Sequence, residues 1–314
     1  MFNWVLVLAF IAAIFMGMAI GATPVSSAFG PVISAGSAGV LKAALLGGLA
    51  AFLGAVVQGD RVSATIGENM IDGGIVAEQA FVILLVASTL VIISALTKYP
   101  MPTAFTIVGS VIGSAFSFGD GIRWGTIQLI VGYWALVPIL AIAIGFGLAW
   151  LLRTFLPKEE SKKPVQYLTL FMGLFVAYTA GANSVGKAVG PLVPFGIEMS
   201  ILLGIGGISI LAGTWILSPK IIDAVSFEYS SMGPRRSVSA LGTAAILAQI
   251  GVFLGVPISF AQAIIASTIG CGLVAGASEV GGKKTGFTII AWISAFFIAI
   301  VFSFGLGYLV QLII

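Results

Sequence analysis

Long apolar runs, separated by short polar breaks, recur from one end of the chain to the other. An α-helix needs about 20 predominantly apolar residues to cross the ~30 Å hydrocarbon core of a bilayer. On that length the runs predict spans at residues 2–21, 38–57, 79–97, 101–118 and 126–152, and again at 167–182, 199–217, 238–255, 258–277 and 286–313. The short alternating segments of a membrane β-barrel are not present. The pattern therefore predicts an all-α polytopic membrane protein of about ten spans, some of them broken or re-entrant. The first run, which has no basic segment before it, is read as a retained span and not as a cleaved leader.

The polar breaks set the organisation. The most polar of them, Arg153 to Pro164, carries Lys158, Glu159, Glu160, Lys162 and Lys163 and divides the chain into two groups of five spans. Lys and Arg gather on the cytoplasmic side of membrane proteins. With this linker inside, eleven basic residues fall inside and three outside. The three are Arg61, Arg123 and Lys187. Both termini are then external. Five is an odd number, so the second group starts on the opposite side of the membrane from the first. The expected layout is a first transmembrane repeat at 1–152, a cytoplasmic linker at 153–166 and an inverted second repeat at 167–314.

Two breaks are copies of each other. Gly181-Ala-Asn-Ser-Val-Gly-Lys-Ala-Val-Gly-Pro191 and Gly21-Ala-Thr-Pro-Val-Ser-Ser-Ala-Phe-Gly-Pro31 share six of eleven residues. Their Gly, Pro, Asn and Ser content predicts interrupted or capped helices. A second pair, Pro100-Met-Pro-Thr-Ala-Phe-Thr106 and Pro257-Ile-Ser-Phe-Ala-Gln-Ala263, opens two spans with Pro followed by hydroxyl or amide residues. Pro suits the first helical turn, and a helix start offers unpaired N–H donors to an anion. Matched interruptions in two halves of a membrane protein point to a transport site near the midplane. Singly, each hydroxyl is as well explained by a bond to its own backbone. Together they nominate Thr23, Ser26, Ser27, Thr103, Thr106, Asn183, Ser184, Lys187, Ser259 and Gln262 as substrate-binding residues.

Composition narrows the chemistry. The chain is 59% hydrophobic and 8% charged, with a mean hydropathy of +1.17, against about 25% charge in a soluble domain. There is no His, and the single Cys271 allows no internal disulfide. No paired acids, no nucleophile with its base, no metal-ligand cluster and no nucleotide loop stands out, so neither enzyme chemistry nor a cofactor or metal site is expected. The net charge of +3 serves topology, not nucleic-acid binding. The acids and bases at Asp60, Arg61, Glu68, Asp72 and Glu78 read as one solvated external loop. Asp223, Glu228, Arg235 and Arg236 read as an internal one, and Glu279 as a loop partner of Lys283 and Lys284. The 41 Gly suit close helix packing and are compatible with a homodimer.

In its two pairs of motifs the chain resembles the inorganic phosphate transporter (PiT) family, which includes phosphate permeases and a branch of sulfate permeases. The family signature, roughly G-A-N-D-V-A-N-A, is followed well by the copy at 181–191 and more loosely by the copy at 21–31. Its P-V-S-T-T-H-A motif corresponds to the two Pro-led segments. The resemblance runs nearly the full length and implies secondary transport of an inorganic oxyanion by alternating access. The departures bear on coupling. The signature Asp is Pro24 and Ser184, the second Asn is Ser27 and Lys187, and the His is Phe105 and Gln262. Losing both carboxylates removes hard oxygen ligands for sodium, so proton coupling is expected in its place.

Lys187 sets the expected mechanism. An ammonium in the membrane is tolerated when it is paired or faces water. An oxyanion is a natural partner, and a lysine that gives up a proton as its anion leaves would couple the two. The plain alternative is a side chain that snorkels to the interface. The resemblance implies phosphate as substrate. A donor-only site leans toward sulfate, which brings no O–H of its own, though the carbonyl oxygens of Asn183 and Gln262 would also accept from phosphate. An uncoupled channel and a non-transporting anion sensor on the same fold remain open.

Overall fold

The computed structural model describes residues 3–97, 101–155, 162–217, 234–274, 276 and 282–313. Every element named below is a helix, and among the described residues the sole strand-like pairing is a bridge between Ile71 and Ile122. Helix α1 (Trp4–Ile20) starts at Asn3, whose side chain accepts from the N–H groups of Val5 and Leu6. Such a cap satisfies donors that the first turn leaves free. A π-helical turn at Gly21–Val25 joins α1 to α2 (Ser26–Ser34). Pro24 has no N–H to give, which disturbs the regular ladder at this point, and the Thr214 hydroxyl donates to Gly21 O from outside at 3.2 Å.

There follow α3 (Val40–Gln58), the short α4 (Asp60–Glu68), α5 (Ala77–Thr97), α6 (Thr103–Phe118) and α7 (Trp124–Phe155). Beyond 156–161 come α8 (Lys162–Val189), a 3-10 turn at Gly190–Phe195, and α9 (Met199–Ile216). The chain closes with α10 (Pro234–Phe253), α11 (Phe260–Leu273) and α12 (Gly282–Ile313). Among the described residues, eight helical stretches are long and apolar enough to cross a membrane. Helices α6 and α11, of 16 and 14 residues, are apolar but shorter. At 1.5 Å per residue they reach only about 20–25 Å, less than the hydrocarbon thickness. These are the two Pro-led segments expected as full spans, and α11 is short because the chain before it, Leu254–Ser259, is not helical.

The outside of the bundle is apolar. Leu129, Leu136, Ile139 and Trp150 of α7 and Phe297, Val301, Phe302 and Leu312 of α12 are all exposed. Faces of this kind suit hydrocarbon, where only backbone already satisfied within its own helix is tolerated. The inside is built from small residues, such as Ala9, Ala12, Ala13 and Ala19 of α1. The packing follows one rule. Helix α1 packs on α5 as α8 packs on α10, and α5 on α6 as α10 on α11. Across the two groups, α3 packs on α8 as α9 packs on α1, and α6 on α12 as α11 on α7.

Two of the three glycines of the second motif copy do not interrupt a helix, contrary to the expectation; α8 gives way to the 3-10 turn only at the third, Gly190. Helix α8 runs through Gly181 and Gly186 without a break, and the glycines are places where neighbours touch. A Cβ on Gly181 would lie 1.8 Å from Ala51 O of α3, and one on Gly186 would lie 2.6 Å from Ser63 N of α4. Gly181→Ala is therefore expected to lower the midpoint of thermal unfolding in detergent, through overpacking of about 1–3 kcal/mol. Gly132→Ala in α7, where nothing lies within 4 Å, is the control and should leave the midpoint unchanged or slightly raised.

The polar connections are also more ordered than expected. Residues 60–68 form α4, not a loop. Val62, Ser63, Ile66 and Gly67 are buried on one helical face against α8 and the 3-10 turn. Arg61 donates to Phe253 O at the end of α10 at 2.6 Å, where a helix favours a cation. Arg123 pairs with Asp72 at 3.0 Å, and Gln79 bonds Asp120. Both partners of the ion pair are largely exposed, so Arg123→Gln should change stability by less than about 1 kcal/mol in the same unfolding assay. Arg235 and Arg236 open α10 instead of lying in a loop. The expected linker is helical at both ends, to Phe155 and from Lys162. Asp223, Glu228 and Glu279 lie outside the described residues.

Candidate functional site

The site forms where α10 gives way to α11. Helix α10 is closed off by Gly255, two residues past its end, whose φ of +68° is a conformation that favours glycine. Gly255 N–H donates to Val252 O and Val256 N–H to Gly251 O, the paired bonds of a glycine-terminated helix. The next residues are extended, and their backbone groups need partners from elsewhere. Asn183 of α8 supplies two. Its Nδ2 donates to Val256 O at 2.7 Å, and its Oδ1 accepts from Ile258 N at 3.0 Å. The side-chain amide thus pairs with the segment much as a neighbouring strand would. Trp134 of α7 donates from Nε1 to Pro257 O at 2.8 Å. Ser259 then caps α11, its hydroxyl accepting from Gln262 N at 3.2 Å.

One turn along α8 from Asn183, Lys187 points into the same place. It is completely buried. Its ammonium donates to Ile258 O at 2.8 Å, to Ser184 Oγ at 3.2 Å and to Thr103 Oγ1 at 3.4 Å. The Phe260 ring centroid lies 5.9 Å from Nζ, at the outer edge of cation–π range. Lys187 therefore does not snorkel to an interface. It links α8, the first residue of α6 and the segment before α11. Three neutral oxygens surround its Nζ, and the motif copy offers no carboxylate at Ser184, the position next to it.

The two positions that depart from the family's His lie on either side of Trp134. Phe105 stacks on its ring, with centroids 3.9 Å apart. Gln262 donates from Nε2 to Trp134 O at 3.1 Å. Gln262 Oε1, by contrast, has no hydrogen-bond partner among the described residues. Thr106 donates to Thr103 O within α6, which suits the local reading of that hydroxyl.

Six of the ten nominated residues are thus connected by hydrogen bonds or lie in the first turn of α11: Thr103, Asn183, Ser184, Lys187, Ser259 and Gln262. Asn183 is in the cluster for a different reason than expected, since both ends of its amide are committed to backbone. Thr23, in the π-helical turn, donates back to Ala19 O in the last turn of α1. Ser26 and Ser27 open α2, which packs on α8, α10 and α11, but their side chains lie outside what the structure describes. The features missed in the sequence are the Ile258 carbonyl and Trp134. A backbone carbonyl has no sequence signal beyond the Pro257 that precedes it, and an apolar span gives no reason to single out one Trp.

Comparison with known proteins agrees with this architecture. The chain is 27% identical to the sulfate permease CysP of Bacillus subtilis (strain 168), over 94% of this chain and 85% of that one. It is 22% identical to a candidate phosphate permease of Pyrococcus abyssi (strain GE5 / Orsay), over 91% of this chain and 93% of that one. A solved structure described as the sodium-dependent phosphate transporter superposes with a TM-score of 0.90, covering 99% of this chain and all of that one at 21% identity. At that identity the superposition speaks for the fold alone. The family comparison goes further: residues 20–303 match the phosphate transporter family. The chain belongs to that family, a family of multi-pass membrane transporters and not of enzymes.

Proposed function

We propose that this protein is a secondary transporter of an inorganic tetrahedral oxyanion, with its binding site at Lys187 and the starts of α6 and α11. The observation that carries this reading is the completely buried Lys187 ammonium, held by neutral oxygens where two short helices begin. A buried cation beside helix N-termini is a strong attractor for an anion. The contact at 3.4 Å to Thr103 is the longest of the three and the one an oxyanion would take over. Alternating access is supported by the repeated packing rule and by matched helix lengths in the two halves. These lengths are 19 and 18 residues for α3 and α9, 21 and 20 for α5 and α10, and 32 and 32 for α7 and α12. On this reading 1–152 and 167–314 are inverted repeats with the linker cytoplasmic.

Sulfate is favoured over phosphate. The Asn183 carbonyl that would accept from a phosphate O–H is committed to Ile258 N, and CysP, one of the relatives above, is named a sulfate permease. Phosphate is the second reading, favoured by the free Oε1 of Gln262. In proteoliposomes, excess unlabelled sulfate should suppress labelled sulfate uptake at lower concentration than phosphate does, by about tenfold if one unmatched hydrogen bond of ~1–2 kcal/mol decides. Equal or reversed potency would favour phosphate. Uptake beyond the equilibrium level separates a coupled carrier from a channel, and saturable binding without uptake would indicate a sensor. The expectation of proton coupling draws no support from the comparisons, since the solved neighbour is called sodium-dependent.

A further inference from the structure

The Lys187 ammonium has three hydrogens and three oxygen neighbours within hydrogen-bond reach. Each neighbour is neutral, and each comes from a different part of the chain. Ile258 O belongs to the extended segment before α11, Ser184 Oγ to α8, and Thr103 Oγ1 to the first turn of α6. An unwound backbone carbonyl together with hydroxyls is the ligand set with which membrane carriers hold a small hard cation. Here that set already surrounds a positive charge. A free metal cation cannot use the same oxygens, because like charges this close repel strongly in a buried site. The peptide just before the Ile258 carbonyl is held at both edges: Asn183 accepts from Ile258 N, and Trp134 donates to Pro257 O.

We propose that Lys187 is a tethered cation, holding the place that a mobile alkali-metal ion would take, so that the oxyanion cycle runs without added sodium or potassium. The transport part of this statement rests on the oxyanion reading above; the cation part rests on the geometry alone. Cutting the side chain back to Cβ should leave the three oxygens facing the room that the stem filled. A small free cation could then enter. Lys187→Met fills that room with a neutral chain and should admit none.

Two readouts test this, each in choline, sodium and ammonium chloride at equal ionic strength: the unfolding midpoint of the purified protein, and uptake of labelled sulfate and phosphate into liposomes. The parent's midpoint should be the same in all three salts, and its uptake should agree within about twofold. Lys187→Ala in choline should lose uptake by at least about tenfold, then recover in part and gain a saturable rise in midpoint with sodium or ammonium. Lys187→Met should respond to neither salt. The proposal is overturned by a parent whose uptake or midpoint requires sodium, or by a folded Lys187→Ala whose midpoint ignores every cation. Where Lys187→Ala does not fold, the parent's salt response decides alone. Liposomes that carry neither anion would contradict the oxyanion reading, and the midpoints would still decide the cation assignment.

Discussion

Lys187→Met should abolish concentrative uptake while leaving the protein folded. Methionine is close to lysine in length and packs readily, so the room beside Phe260 stays filled. What is lost is the charge and its donors. A charged hydrogen bond to the substrate contributes about 1.5–3 kcal/mol, which corresponds to roughly 10- to 150-fold in affinity. The longer-range attraction of a buried unit charge adds to this. Uptake at low substrate concentration should therefore fall by about 100-fold. The orphaned Ile258 carbonyl costs some stability, but removal of a buried charge offsets part of that loss. Size-exclusion profile and unfolding midpoint check the fold, and initial uptake rates check the function. Uptake within about threefold of the parent would mean that the charge has no part in binding.

Asn183→Ala is the second large effect expected, and it acts through position. It removes both bonds that hold Val256 and Ile258, in a place fully closed to solvent. Leaving two buried backbone groups unsatisfied costs on the order of 3 kcal/mol. The Ile258 carbonyl, which makes the shortest contact to Lys187, then follows a peptide anchored by Trp134 alone. Hydrogen exchange should rise in the 254–262 segment while α1 and α7 exchange as before, and uptake should drop by about tenfold or more. Asn183→Asp gives a sharper contrast. Its carboxylate can still accept from Ile258 N, yet it lies one turn from Lys187, where opposite charges attract. It cannot donate to Val256 O and sets a carboxylate oxygen against that carbonyl, so it should recover no stability over Asn183→Ala, and it should lose at least as much uptake, because the new carboxylate competes with the anion for the lysine.

Much of the fold could be read from hydropathy, for a plain reason. A helix in lipid must be apolar over its whole length, so α7 at Trp124–Phe155 and α12 at Gly282–Ile313 announce themselves to within a few residues. Lys187 could be read as well, since a charge inside an apolar run is costly without a purpose. The glycines were harder. Gly181 and Gly186 are the residue type that breaks helices and also the type that lets helices touch, and only the neighbours Ala51 and Ser63 show which applies. Asn183 looked like a ligand for an anion because its true partners are backbone atoms 73 and 75 residues away. Helix α4 was lost among its own charges. Val62 and Ile66 repeat at helical spacing, but nine residues are too few for that period to stand out.

The two short helices connect these lessons. Pro102 and Pro257 marked segments with special starts, and both lead into apolar helices shorter than the usual membrane-spanning length. Their starts meet at one ammonium. The arrangement places the free donors of helix beginnings beside a cation and away from lipid. Charge from one helix and unwound backbone from another thus converge at a single point, as in carriers whose two halves rock about a central site.

The central claim is that Lys187 is the centre of an oxyanion site, and equilibrium binding tests it most directly. Sulfate titrated calorimetrically into the detergent-purified parent should bind saturably, be displaced by phosphate, and give no measurable heat with folded Lys187→Met. Sulfate binding of equal affinity to the parent and to Lys187→Met would contradict the account.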